Sequence, residues 1–144
     1  MAIPLARKVL IDTNIFIDYL RDDLSTEWVF GRGGTAIRFL SAIVLMELRL
    51  GATTPRRRRA TDRIRAAFPD ARVLAPSADL FERAALLFRR LYAPGSEPAD
   101  RLASINDLLI ALTAWRIGAA VVTRNAADFQ RIQTRLPGLR VIIP

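Results

Sequence analysis

Short unbroken apolar runs alternate along this chain with longer stretches in which apolar residues recur every three or four positions. Residues 9–11, Val-Leu-Ile, form the first such run, the pattern of a strand buried on both faces within a parallel sheet. Asp12, Thr13 and Asn14 follow and can cap a helix whose apolar positions include Ile15, Phe16, Tyr19 and Leu20. The glycines of 31–34 predict a turn, and 37–40 predict a second strand. Ser41 is then placed to cap a helix that runs through Glu47 toward Gly51. Pro55 suits the first turn of another helix, with Ala60, Ile64, Ala67 and Phe68 on one side. Ser77 caps the next, whose expected core stripe is Phe81, Ala84, Ala85, Phe88 and Leu91. A loop is expected at 94–98, then a helix from about 102 to 117 that stops at Gly118. Residues 119–123 read as a strong strand, 128–135 as a short helix and 139–143 as a closing strand. Strands alternating with helices predict an α/β domain with a mainly parallel sheet. No repeat, long linker or internal boundary appears, so 1–144 is expected to be a single domain.

Composition removes more chemistry than it suggests. The chain has no cysteine and no histidine. Disulfide frameworks, thiolate zinc sites, cysteine nucleophiles, histidine bases and Ser-His-Asp triads are therefore all excluded. Lys8 is the only lysine and no GxxxxGK[ST] loop surrounds it, which excludes a P-loop. Carboxylates remain as the main workers, and with no nitrogen or sulfur ligands beside them they suit hard cations such as magnesium or manganese. The net charge is +8, carried almost wholly by arginine, a balance that favours a polyanionic partner. The run Arg56 to Arg59 follows Pro55 near a helix start, where the dipole disfavours cations, and this hints at an external anion. No apolar run reaches the ~20 residues of a membrane span. The N-terminal residues do not read as a signal peptide, so a cytoplasmic location is the expectation.

Four acids stand out by position. Asp12 lies directly after the 9–11 strand, and Asn125 and Asp128 follow the 119–123 strand, so all three are expected at the carboxyl edge of the sheet, where ligand sites gather. Glu47 sits inside Ile43-Val44-Leu45-Met46-Glu47-Leu48, a helix apolar nearly all round, and Asp107 shares a helical face with Ile110, Ala111 and Ala114. An acid on an apolar face needs a partner or a cation. Each has a plainer explanation alone: a helix cap for Asp12, a pairing with Arg38 or Arg49 for Glu47, the helix dipole for Asp107 and a turn cap for Asp128. Taken together, they point to one shared cation site.

These residues also carry a resemblance. Val9-Leu10-Ile11-Asp12-Thr13-Asn14-Ile15-Phe16 and Leu40-Ser41-Ala42-Ile43-Val44-Leu45-Met46-Glu47-Leu48-Arg49-Leu50-Gly51 resemble the first two motifs of PIN-domain ribonucleases. Asn106-Asp107-Leu108-Leu109-Ile110-Ala111 resembles the third and Val121-Val122-Thr123-Arg124-Asn125-Ala126-Ala127-Asp128-Phe129 the fourth, in order along nearly the whole chain. The likeness is to the VapC type, the toxin half of bacterial toxin–antitoxin pairs. It implies a three-layer sandwich with a central sheet of four to five strands flanked by helices. It also implies that Asp12, Glu47 and Asp107 are acidic metal-site residues. The fourth position is filled in some family members directly after the Thr-Arg pair, here Asn125, and in others by the later acid, here Asp128, which brings the charge that asparagine lacks. Thr13 and Thr123 are implied as hydroxyls that orient carboxylates. Arg49, Arg116 and Arg124 flank the motifs as candidate phosphate contacts.

The activity so implied is magnesium- or manganese-dependent hydrolysis of RNA phosphodiester bonds, by one or two ions, in the toxin of a type II pair. The implied partners are an RNA substrate, a cognate antitoxin and a second copy of the chain, with DNA reached only through the antitoxin. Two other readings stand beside it: a non-catalytic binding module that keeps the fold, and a PIN nuclease of housekeeping RNA processing.

Overall fold

A computed structural model of the chain describes residues 8–31, 34–92 and 98–144. Five strands form one sheet in the order β3-β2-β1-β4-β5: β1 (Lys8–Ile11), β2 (Ile37–Ser41), β3 (Val73–Leu74), β4 (Ala120–Val122) and β5 (Arg140–Ile142). Every pairing is parallel, a stricter arrangement than the mainly parallel sheet the sequence predicts. The central strand β1 pairs on one side with β2, Leu10 opposite Phe39, and on the other with β4, Leu10 opposite Val121. Its Val9, Leu10 and Ile11 are fully enclosed, as a strand covered on both faces must be.

The helices are α1 (Thr13–Asp22), α2 (Thr26–Phe30), α3 (Ala42–Gly51), α4 (Pro55–Ala66), α5 (Ala78–Leu91), α6 (Pro98–Ile117) and α7 (Ala126–Gln133). They pack as two groups, α1 with α2 and α3 and α3 with α4, then α5 with α6 and α6 with α7; an α3–α6 contact joins the groups. The chain steps outward from β1 to β2 to β3, then returns to the other side of β1 for β4 and β5. With right-handed crossovers, the helices after β1 and β2 cover one face and those after β3 and β4 the other. The direction of travel therefore reverses between β1 and β4. This reversal is the place where open parallel sheets form a ligand crevice beyond the carboxyl ends of their strands.

Local chemistry sets most boundaries. Asp12, Ser41, Thr54 and Ser77 cap α1, α3, α4 and α5, each side-chain oxygen accepting from a backbone N–H of the first turn. Pro55 occupies the first turn of α4, as expected. Helix α6 ends in a Schellman turn: Gly118, at φ 69°, donates to the Trp115 carbonyl and Ala119 to that of Ala114. The chain enters β4 two residues later. The core centres on β1, β4 and the α6 stretch Leu108 to Leu112, against Phe16, Phe129 and Ile132.

Several expectations need correction. The expected stripe on α5 is misplaced, because Phe81 is 50% exposed and Ala85 faces solvent. The buried line is Leu80, Ala84 and Leu91, flanked by Leu87 and Phe88. Apolar residues at 80, 81 and 84–88 satisfy more than one helical phase, so packing rather than periodicity chose the face. Helix α6 starts at Pro98, four residues before the expected start, and α7 at Ala126, two before. The five-residue α2 and two-residue β3 are too short to show a period. The expected turn at 31–34 and loop at 94–98 fall partly outside the described residues. Among the described residues no helix is long and apolar enough to cross a membrane.

Candidate active site

Strand β1 delivers Asp12 to the crevice between β1 and β4, and the ladder continues one step past the strand through the Asp12 N–H to the Val122 carbonyl at 2.9 Å. The carboxylate is 5% exposed. One oxygen caps α1 by accepting from the Thr13 N–H at 2.8 Å. The other accepts from the Thr123 hydroxyl at 2.7 Å and from the Asn14 amide at 3.3 Å. The cap reading of Asp12 is thus correct, and it leaves the second oxygen turned toward β4. Burial raises the Asp12 pKa; the Thr123 and Thr13 hydrogen bonds oppose this, while the charges of Glu47 and Asp128 add to it.

Thr123, the first residue beyond β4, is fully buried. Its hydroxyl donates to Asp12 and accepts from the Asn14 amide at 3.1 Å and the Asn125 N–H at 3.0 Å. Thr13 gives its own hydroxyl to Glu47 Oε1 at 2.7 Å. This bond ties α3 to the start of α1, two helices that already pack together. Neither arginine weighed as a partner for Glu47 takes that role. Arg38 donates to the carbonyls of Trp28, Val29 and Ala67 and lies 4.5 Å over the Phe68 ring, while Arg49 pairs with Asp62 at 2.5 Å.

Asp107 projects from α6, the helix that α3 touches. It is half-buried and accepts no hydrogen bond among the described residues. Burial, followed by the charges of Asp12, Asp128 and Glu47, pushes its pKa from 3.8 up to about 8. Near neutrality this carboxyl therefore needs a proton or a cation. Asp128 stands exposed in the first turn of α7 and accepts from the Asn125 amide at 2.6 Å. The two candidates for the fourth position are thus one bonded pair, and only Asp128 adds negative charge to the field on Asp12 and Asp107.

The four acids lie within electrostatic reach of one another, but they do not form a closed cage. Among the described residues no three acidic side chains converge tightly enough to enclose an ion as they stand. Asp12, Glu47 and Asp128 are each held by a hydroxyl or amide donor. The donor set still fits a hard divalent cation: it is all oxygen and net negative, and Asp107 lacks a hydrogen-bond donor.

Two features lay outside the reach of sequence reasoning. Tyr92, at the end of α5, stacks against Phe88 and Arg131, and its pKa is raised by burial and then by the charge of Asp107. A lone tyrosine before a loop gives no sequence signal of that neighbour. The arginines chosen for phosphate contact are also already partnered. Arg49 holds Asp62, Arg116 holds Asp79 and Arg124 holds Asp18, each at 2.5 Å.

A family model described as the PIN domain matches residues 9–134. A chain of VapBC2 from Rickettsia felis, in a complex bound to a DNA fragment from their promoter, superposes with a TM-score of 0.66 at 20% identity, covering 94% of this chain and 97% of that one. A chain of FitAcB from Neisseria gonorrhoeae gives a TM-score of 0.62 at 25% identity, with 94% and 97% covered. A chain of VapBC-5 from Mycobacterium tuberculosis, of the VapBC family of toxin–antitoxin systems, gives 0.57 at 24% identity, with 96% and 99% covered. A comparison with curated protein sequences found no match.

Proposed function

Because the chain belongs to the PIN-domain family, whose members are generally nucleases, we propose that it is a divalent-cation-dependent endoribonuclease and the toxin of a type II toxin–antitoxin pair. The observation that carries the reading is Asp107, a half-buried carboxyl without a hydrogen-bond donor among the described residues, under the field of three other acids at the carboxyl edge of a parallel sheet. Such a group is costly unless positive charge arrives beside it.

In this reading Asp12, Glu47, Asp107 and Asp128 hold the cation, with Asn125 steering Asp128. Magnesium or manganese, when bound, supplies Lewis acidity toward a phosphoryl oxygen and a bound water of lowered pKa. The protein's own part is positional. Thr123 and Thr13 fix one oxygen each of Asp12 and Glu47 and leave the remaining lone pairs for the cation. Asp107 keeps a proton at its carboxyl oxygen while the site is vacant and gives it up when positive charge binds. A water oxygen then adds to phosphorus and gives up a proton as one P–O ester bond breaks, and the departing ribose oxygen takes up a proton, leaving one phosphate end and one hydroxyl end.

The toxin assignment rests on similarity to chains from VapBC and FitAcB complexes. It carries with it an antitoxin partner, contact with promoter DNA through that partner, a homodimer and a cytoplasmic setting. A second reading, a binding module without cleavage, is favoured by the open spacing of the acids. Purified protein incubated with total RNA separates the two. New RNA ends in magnesium or manganese, absent in chelator and in Asp12→Asn, support the nuclease; intact RNA under all conditions supports the binding module.

A further inference from the structure

Glu47 also lines a cavity of about 180 Å³ between α1, α3 and α4, together with Ile17, Leu20, Arg21 and Arg57. A second cavity of about 390 Å³ shares Leu20, Arg21 and Arg57 with the first and adds Arg56 and Thr54. The two share a lining and make one groove, in which Glu47 is the one site acid and Arg21, Arg56 and Arg57 are the basic residues. Unlike Arg49, Arg116 and Arg124, these three arginines have no ion pair or side-chain hydrogen bond among the described residues. Arg56 and Arg57 also sit in the first turn of α4, where the helix dipole opposes cations. Four adjacent arginines there, Arg56 to Arg59, repel one another, and the one acid of the helix, Asp62, is paired with Arg49.

Resting on the nuclease reading above, we propose that this groove is the track for the RNA backbone beside the cleaved bond, with Arg21, Arg56 and Arg57 each facing a phosphate. An evenly charged polyanion matches both parts of the groove. Its phosphates neutralise the arginines along the length, and the one at the Glu47 end meets the acids across a shared cation. An acidic protein segment fits less well, since its carboxylates would meet Glu47 without that cation. No aromatic ring lines either cavity among the described residues, so bases find no stacking platform there. The track therefore positions the strand without reading its sequence.

The test uses the full chain carrying Asp12→Asn, so that the probe is not cut; this substitution also removes the cation set, so the measurement reads the arginines alone. A short single-stranded RNA oligonucleotide is titrated by fluorescence anisotropy over a series of potassium chloride concentrations. Each lost phosphate contact on a single strand lowers the slope of log affinity against log salt by ~0.7, so Arg21→Gln, Arg56→Gln and Arg57→Gln together should lower it by about 2. The control set Arg58→Gln, Arg59→Gln and Arg63→Gln, from the same helix but outside the groove, should lower it by clearly less. Thermal unfolding of both sets checks that the fold survives. An unchanged slope in the groove variant overturns the proposal, and so does an equal drop in both variants, which would mean a diffuse field. Loss of binding to a polyglutamate peptide with RNA binding intact also overturns it, and assigns the groove to a protein partner. If the unsubstituted groove binds no RNA at any salt, the proposal is overturned, while the nuclease reading stands or falls separately on the new ends formed from total RNA in magnesium or manganese.

Discussion

Replacing Asp107 with asparagine removes the charge that the rest of the site makes most costly, and the structure fixes the sign of the effect. In the folded chain the carboxyl titrates at about 8, against 3.8 for the same group in water. The native state therefore keeps a proton that the unfolded chain releases, and stability falls as pH rises between those two values. At pH 7 the gap to the unfolded value is about three units, and at ~1.4 kcal/mol per unit this is up to ~4 kcal/mol lost by the parent and not by the variant. Water reaching the half-buried group reduces that ceiling. The assay is urea unfolding followed by circular dichroism, in chelator, from pH 4 to 8. With a slope of about 2 kcal/mol per molar urea, Asp107→Asn should unfold at up to ~2 M higher urea near neutrality and at the parent's midpoint near pH 4. Magnesium should then raise the parent's midpoint and leave that of the variant nearly unmoved. A variant less stable than the parent at pH 8, or a difference that does not change with pH, refutes the argument that like charges and burial converge on this group.

Three further substitutions probe the supports of the site. Thr123→Val removes the shorter of the two hydrogen bonds to the second oxygen of Asp12 and leaves the Asn125 N–H without its acceptor, which should cost about 1–3 kcal/mol in urea unfolding. RNA cleavage should also slow by roughly 10–100-fold, as expected when a ligand's orienting partner is removed. Arg38→Met leaves the carbonyls of Trp28, Val29 and Ala67 without their donor and should destabilise by about 2–4 kcal/mol, while cleavage per folded molecule is unchanged because Arg38 lies outside the acid group. Asp128→Asn keeps a partner for Asn125 and removes only an exposed charge, so its loss of cleavage rate should be smaller than that of Asp12→Asn in the same assay.

What the sequence could and could not reveal follows from how local each feature is. The strands β1 and β4 were legible because strands buried on both faces must be apolar throughout, and the caps at Asp12, Ser41 and Ser77 because a short polar side chain before an apolar helix has few other uses. Asp107 was legible as an acid on an apolar helical face, whatever lay opposite. The details that fix the chemistry are tertiary. The Thr13–Glu47 bond spans 34 positions and the Thr123–Asp12 bond 111, and no local pattern announces either. The same holds for the arginines. Arg49 and Arg21 look alike in sequence, and only packing shows that one is neutralised by Asp62 and the other has no such partner among the described residues. Helix α5 shows the opposite failure, a pattern rich enough to support two faces until a neighbour selects one.

Manganese binding read by electron paramagnetic resonance addresses the shared site without relying on any RNA. Titrated into the parent chain, manganese should fill a set of one or two sites, and Asp12→Asn, Glu47→Gln and Asp107→Asn should each lose that set although they lie on three different elements. Wild-type manganese binding by a folded Glu47→Gln or Asp107→Asn chain would mean that the acids serve separate purposes, and the account of one cation held between them would be wrong.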